Sequence, residues 1–302
     1  MSKVLVMGPI YVETTVKVPN IPLPSDMIID DKYGIITSFS GHGYNVSRAL
    51  TKLGDTINFL SFSGDDLLKL MLKEKLDKVG IVSDYVIPSL SATPHTVVLF
   101  ADENKRQIIN DLKESREVEY NETLFDEAIK ECNTAVLCNS NYARPYLKKV
   151  KELGKTIISD VHAIRDLDDN HNKDFMKYSD ILCLSHTYLK EPYEDVIKEI
   201  EKRYGNEIII MGMGEKGAMM YVKKDNFIGS FPTVRTREIV NTLGAGDSQL
   251  SAFSHFYEKT GNPYYSLKAA ILFASYKLGN QSAAHGFLTE EQVETFYNTI
   301  WK

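Results

Sequence analysis

Short apolar runs separated by amphipathic segments constrain this chain more than any other feature of its sequence. "KVLVMG", "INFLSFSGDD", "TAVLCN", "TIISD", "ILCLS" and "EIIIMG" follow one another between Lys3 and Gly212. Apolar runs this short, bounded by turn residues, read as strands buried on both faces. Helical patterns lie between them. In "NVSRALTKLG", Val46, Ala49, Leu50 and Leu53 fall on one face, with Asn45 read as the N-cap and Gly54 as the C-terminal stop. "ARPYLKKVKELG" and "YEDVIKEIEKRYG" repeat that form. Strands alternating with helices predict an α/β fold of three layers, αβα, with a mostly parallel central sheet.

Two stretches break the rhythm. Residues 22–37, "PLPSDMIIDDKYGIIT", have no helical period, and residues 96–111, "TVVLFADENKRQIIND", read as a hairpin turning near "DENK". Both suit a small β-sheet lid inserted into the main body at about 10–37 and 91–111. No long linker divides the 302 residues, so the expectation is a single domain spanning 1–302.

Charge narrows the function. Lys plus Arg total 35 against 41 Asp plus Glu, a net charge of -6, which argues against a general nucleic-acid binder. Cys132, Cys138 and Cys183 form no C-x-x-C, so neither a disulfide framework nor a zinc site follows. "MSKVLVMGPI" lacks the long apolar stretch of a signal peptide, and no run is long enough to span a membrane. A cytoplasmic protein is expected.

The stretch with most chemistry is "NTLGAGDSQLSAFSHFY", residues 241–257. "REIV" before it is strand-like, and Leu250, Phe253, Phe256 and Tyr257 after it share a helical face. Gly244, Ala245 and Gly246 therefore sit where a strand turns into a helix. Free N–H groups and the positive end of the helix dipole make such a place an anion site, and small residues let a phosphate come close. Asp247 projects from the first turn. A carboxylate beside an anion hole suits phosphoryl transfer to an alcohol, taking the hydroxyl proton as the phosphoryl group moves. Taken alone, the same Asp reads more readily as only a helix cap.

The wider context decides between them. The stretch resembles the D-T-x-G-A-G-D signature of the ribokinase-like (PfkB) carbohydrate kinases, here Asn241-Thr242-Leu243-Gly244-Ala245-Gly246-Asp247. A second signature of that family, G-G-x-x-x-N-x-A, is echoed by Ser40-Gly41-His42-Gly43-Tyr44-Asn45-Val46-Ser47. "SRALTKLGDTINFLSFSGDD" is similar to the family's helix, strand and G-x-D loop, so the resemblance covers nearly the whole chain. It implies a ribokinase-like fold, Asp247 as catalytic base, and Gly244, Ala245 and Gly246 as the hole for the γ-phosphate of ATP. It places Gly41, His42, Gly43 and Asn45 with the substrate, together with Glu13, which stands where many members carry an Asp. Thr242, Gly214 and Gly217 fall on loops that contact the nucleotide phosphates in the family, and Asn280 and Gly286 on the loop that wraps adenine.

"GMGEKG", residues 212–217, imitates a dinucleotide fingerprint, but "AMMYVKKDNFIGSF" after it reads as a hairpin turning at Asp225-Asn226 instead of the helix such a motif needs. "DVHAIRDLDDNHN", residues 160–172, gathers acids and histidines without a metal-ligand spacing and reads as a solvated loop. The charges of "KEIEKR" read as an exposed helix face.

Three departures from the family pattern bear on activity. Asn241 replaces the acid associated with a monovalent cation, leaving dependence on that cation open. Ser185-His186-Thr187-Tyr188 stands where N-x-x-E would organise Mg2+, so no metal ligand is assigned. Ser40 replaces the first glycine of G-G. The reading is an ATP- and Mg2+-dependent kinase of a small sugar or nucleoside. A phosphosugar kinase, with His42, Arg106 and Arg144 as its cations, and a non-catalytic binding protein on the same fold are the alternatives. The apolar lid, with Ile28, Ile29, Ile35, Ile36, Val97, Leu99 and Phe100, suggests a homodimer through that surface.

Overall fold

The structure is a computed structural model, and it describes residues 2–26, 28–101 and 105–301. The strands are β1 (Lys3–Met7), β2 (Tyr11–Lys17), β3 (Ile35–Ser40), β4 (Thr56–Gly64), β5 (Val86–Leu90), β6 (His95–Phe100) and β7 (Arg106–Asp111). They continue as β8 (Thr134–Leu137), β9 (Thr156–Ala163), β10 (Ile181–Ser185), β11 (Ile208–Gly212), β12 (Ala218–Val222) and β13 (Phe227–Phe231). The helices are α1 (His42–Leu53), α2 (Leu68–Lys78), α3 (Glu122–Ile129), α4 (Tyr146–Glu152) and α5 (Lys173–Tyr178). After these come α6 (Tyr193–Tyr204), α7 (Ala245–Thr260), α8 (Pro263–Lys277) and α9 (Glu290–Ile300).

The large sheet runs β13-β12-β11-β10-β9-β8-β1-β4-β5. From β11 to β5 every neighbour pair is parallel, while β12 and β13 close one end as an antiparallel meander. That meander is what "AMMYVKKDNFIGSF" predicts, with Asn226 at positive φ just after the turn. β1 shows why the runs must be apolar throughout. Val4 and Val6 enter one core, with α1, α7 and α8, while Leu5 and Met7 enter the other, with α3 to α6. The αβα layering follows from these two buried faces.

The smaller sheet runs β3-β2-β6-β7, with β2 and β6 parallel and the outer pairs antiparallel. β2, β6 and β7 fall within the expected lid segments, whereas β3 begins inside the first and runs past it to Ser40, and the first 13 residues of the 22–37 stretch contribute no strand among the described residues. Of the expected hairpin turn, Asp102, Glu103 and Asn104 lie outside the described residues.

Two local expectations fail. Asn45 is not an N-cap: α1 begins at His42, capped by Gly41 at φ 117, where a Cβ would lie 2.5 Å from the Pro9 carbonyl oxygen. The helix thus starts earlier than residue type suggests, and the Asn45 side chain is left free to reach elsewhere. Gly54 does end that helix, at φ 110 with its N–H on the Leu50 and Thr51 carbonyls. "REIV" forms no strand. Val240 and Asn241 instead donate their N–H groups to the Leu278 carbonyl. Among the described residues no helix is long and apolar enough to cross a membrane.

Candidate active site

Parallel strands present their carboxyl ends to one rim of the sheet, the usual place for ligands in such folds. Here β1 leads into Gly8 and Pro9, β8 into Cys138, β9 runs through Asp160 to Ala163, β10 ends near His186 and β11 at Gly212. α7 aims its N-terminus at the same region. Its cap, Gly244, has φ 73, and a Cβ there would lie 2.9 Å from the Ala283 carbonyl oxygen, so glycine is demanded by conformation and space together.

Asp247, in the first turn, is the centre of a polar chain. His42 Nδ1 lies 2.6 Å from its Oδ1, and Asn45 Nδ2 donates to its Oδ2 at 2.7 Å. The Ser40 hydroxyl lies within reach of Glu13 Oε2 at 3.1 Å and Asn45 Oδ1 at 3.3 Å. Glu13 is buried, and its other oxygen, Oε1, has no hydrogen-bond partner. A buried, unpaired carboxylate oxygen is an acceptor left for a donor from outside the chain. Four residues distant in sequence are thereby joined from lid strands β2 and β3 to helices α1 and α7.

The electrostatics separate the two acids. Burial opposes ionisation of Asp247, but the charge and hydrogen bond of His42 and the Asn45 amide outweigh it and hold the carboxyl below the ordinary range. Burial raises the Glu13 pKa, with the Ser40 hydroxyl and the Lys277 ammonium opposing. For His42, burial disfavours the charge, and Cys138 and Asp247 reverse that and strengthen its hold on a proton. His42 and Asn45 therefore face Asp247 itself, while Gly41 and Gly43 serve the backbone. Gly43 packs on Gly8, where a Cβ would stand 2.6 Å from the carbonyl carbon.

The 241–247 loop is braced from beneath. Asn241 donates to the Gln281 carbonyl at 2.9 Å and accepts from the Leu243 N–H at 2.9 Å. Lys277, fully buried at the end of α8, donates its ammonium to the Leu243 carbonyl. Burial pulls its pKa down to about 8 against the opposing carboxylates of Asp247 and Glu13, so the amine stays largely charged at neutral pH. Nothing in the sequence marks this lysine, which stands at a helix end where a solvated charge is the ordinary expectation.

The expected nucleotide loops are less committed. Gly217, at φ 93, passes so close to β13 that a Cβ would lie 2.0 Å from the Phe231 carbonyl oxygen, so its glycine is accounted for by the backbone. A Cβ on Gly214, at φ 58, would meet only the His186 ring, at 3.9 Å. Asn280 accepts the Ser282 N–H within its own loop, and a Cβ on Gly286 would collide with Asn280. Thr242 lies half-buried ahead of Gly244.

The reading of residues 160–172 as a solvated loop needs correction at its start. Asp166 and Asp169 do accept N–H groups of their own loop. Asp160, however, is buried in the carboxyl half of β9, and its Oδ2 would be 3.4 Å from a Cβ on Gly246. A bulge opposite Cys183 and Ser185 turns His162, at φ 56, to the same side, and its ring lies 4.7 Å from that of His42. The available signal was an acid at the carboxyl end of an apolar strand, "TIISD". Ser40 and Lys277 are the other contributors that sequence reasoning did not assign a role.

Comparison with known proteins agrees with this geometry. The model of the pfkB family of carbohydrate kinases matches residues 34–290. The chain is 25% identical over 270 residues to a deoxyribokinase of Salmonella typhi, covering 85% of this chain and 86% of the relative. It is 27% identical over 287 residues to a probable fructokinase of Arabidopsis thaliana, with coverage of 84% and 85%. Among solved structures, a microbiome-derived acarbose kinase superposes with a TM-score of 0.86 at 22% identity, over 97% of this chain and 98% of that one. The ribokinase of Arabidopsis thaliana complexed with ribose and ATP gives a TM-score of 0.80 at 20% identity, over 98% of each chain.

Proposed function

The chain belongs to the pfkB family of carbohydrate kinases, and from that premise we propose that it transfers the γ-phosphoryl group of ATP to a hydroxyl of a small sugar or nucleoside. The observation that carries this reading is the Asp247 carboxyl group, fixed by His42 and Asn45 beside the N-terminus of α7. A carboxylate has about four lone-pair sites, so two bound donors leave room for the acceptor hydroxyl. Asp247 would take the hydroxyl proton as the oxygen attacks phosphorus, while N–H groups of the 244–247 loop receive the charge of the moving phosphoryl group. Glu13 Oε1 supplies an acceptor for a second hydroxyl of the substrate. The lid strands carrying Glu13 and Ser40 would help exclude water, with residues 1–302 acting as one catalytic unit.

Mg2+ accompanying ATP would neutralise the phosphates. Ser185 and Thr187, at the N-x-x-E position, instead bond to each other at 2.7 Å. The phosphosugar alternative has little support from its cations: Arg144 pairs with Asp174 at 3.1 Å and Arg106 is exposed on the outer strand of the small sheet. Screening free sugars, phosphosugars and nucleosides for ATP-dependent product formation tests the whole reading. Phosphorylation of a free sugar or nucleoside is the expected result. Turnover of phosphosugars alone would transfer the assignment to that class, and no product from any acceptor would favour a binding protein.

Potassium is expected to leave turnover unchanged against choline at equal ionic strength. Lys277 already places a fixed ammonium on the Leu243 carbonyl, and Asn241 bridges the loops without a carboxylate. Saturable activation by K+ would contradict this.

The lid surface points to a homodimer. Ile28 and Ile35 are 89% and 66% exposed, and Ile108 and Ile109 on β7 add apolar surface, whereas Ile36, Val97, Leu99 and Phe100 are half-buried. Pairing two such faces would cover an apolar patch and an open sheet edge together. Sedimentation at micromolar concentration should give a dimer that Ile35→Lys dissociates. A wild-type monomer would remove the idea.

A further inference from the structure

We infer that His42, Asp160 and His162 form a binding site for a borderline divalent transition ion of the Mn2+, Co2+ or Zn2+ class, which the protein holds before nucleotide arrives. One ligand atom from each of these residues lies within 4.8 Å of the others. Around an ion with bonds of about 2.1 Å, donor atoms stand roughly 3–4 Å apart, so adjustments of under about an ångström would close the site. The residues come from two elements that meet only in the folded chain, the start of α1 and the end of β9.

Each side chain is already prepared for such a role. His42 is buried and its Nδ1 engages the Asp247 carboxylate, while its Nε2 makes no well-formed hydrogen bond and has the Cys138 thiol as its neighbour. An imidazole oriented by a carboxylate through one nitrogen is typical of a metal-binding histidine, and an ion would bind here by displacing the proton that Asp247 and Cys138 favour on the ring. Asp160 is oriented through Oδ1, which accepts the His162 N–H at 2.7 Å, leaving Oδ2 with His162 Nδ1 at 3.6 Å. His162 is held at φ 56, a conformation uncommon outside glycine, by a bulge in β9. That conformation brings its ring edge-on to His42 at 4.7 Å. Nothing in the packing of the apolar core requires it, since His162 is exposed.

The donor set decides the class of ion. Two imidazoles with one carboxylate, and open positions beyond them, suit borderline transition ions, whereas Mg2+ prefers oxygen ligands. The open positions matter because Asp160 lies beside Gly246, where the phosphate end of ATP is proposed to bind. An ion here would do from the β9 side what the missing N-x-x-E would do from β10. Its relation to phosphate rests on the kinase reading, but the site itself rests only on the three side chains.

The test uses tag-free, chelator-stripped full-length protein without nucleotide or sugar. Mn2+ is titrated by electron paramagnetic resonance, Co2+ by visible absorption, and Zn2+ and Mg2+ by calorimetry. One equivalent per chain should bind, with Zn2+ and Mn2+ tighter than Mg2+. His162→Asn keeps a residue that tolerates positive φ and should stay folded. It should lose at least about 100-fold in affinity, since even changes to groups behind a metal ligand cost roughly 10–100-fold. Absence of saturable binding, or wild-type binding by a folded His162→Asn variant, would overturn the site. Phosphorylation assays on the same samples separate the two ideas. Metal binding without phosphorylation of any acceptor upholds the site and counts against the kinase, whereas phosphorylation without metal binding removes the site alone.

Discussion

Asp247→Asn is expected to lower phosphoryl transfer by roughly 10²–10⁴-fold, the usual contribution of a positioned general base. The substitution keeps volume and shape, so the fold and ATP binding should persist. It removes the charge that His42 and Asn45 orient from 2.6 and 2.7 Å. An amide in its place has one oxygen and one NH2 group, so it cannot accept from both donors as the carboxylate does. It also cannot take up a proton from the acceptor hydroxyl. The low pKa of Asp247 is compatible with its role, because a carboxylate that stays ionised is always available as acceptor. In phosphoryl transfer positioning and charge dominate, and the proton can leave late. Turnover on the best acceptor and ATP affinity by calorimetry are the measurements. Wild-type turnover with native circular dichroism would reduce Asp247 to a helix-start residue.

Much of this arrangement was legible in the sequence because it depends on local signals. Short apolar runs specify buried parallel strands wherever they occur, and glycines before an Asp at a helix start carry their meaning with them. Other parts depend on where separate segments meet. Asn45 looked like a cap because its residue type favours caps, but Gly41 could start the helix earlier through its positive φ. Residues 237–240 include strand-forming types, yet the N–H groups of Val240 and Asn241 go to the Leu278 carbonyl at the end of α8 and not to a sheet edge, a partner that only the fold supplies. Lys277 shows the strongest case of this kind. Its burial arises only when α8 packs against the 241–247 loop, and no spacing in "SYKLG" announces it. Asp160 and His162 were hidden by company, since a run of acids and histidines reads as solvated until the bulge in β9 separates its first members from the rest. Ser40 was visible as a departure from G-G, but only the fold brings its hydroxyl between Glu13 and Asn45.

Gly246→Val should leave a folded protein that has lost ATP-dependent turnover, and its contrast with Gly244→Val is the sharper test of the anion hole. Gly246 is exposed in the first turn of α7, and a Cβ there meets only Asp160 Oδ2, at 3.4 Å. The chain itself can therefore accept a side chain, and replacing glycine by valine inside a helix is close to neutral in backbone preference. What it cannot accept is a β-branched group in the space where a phosphate must approach the backbone. Loss of a single oxyanion-type donor lowers turnover by roughly 10²–10³-fold, and blocked access should do at least as much. Gly244 differs on both counts: at φ 73 any β-branched residue is strained, and its Cβ would press on the Ala283 carbonyl oxygen at 2.9 Å. Gly244→Val should accordingly lower the melting temperature as well as activity, while Gly246→Val should melt close to wild type. Thermal unfolding and steady-state kinetics on the pair read both effects. Near-native kinetics for Gly246→Val would mean that this turn merely begins a helix and that phosphate binds elsewhere on the rim.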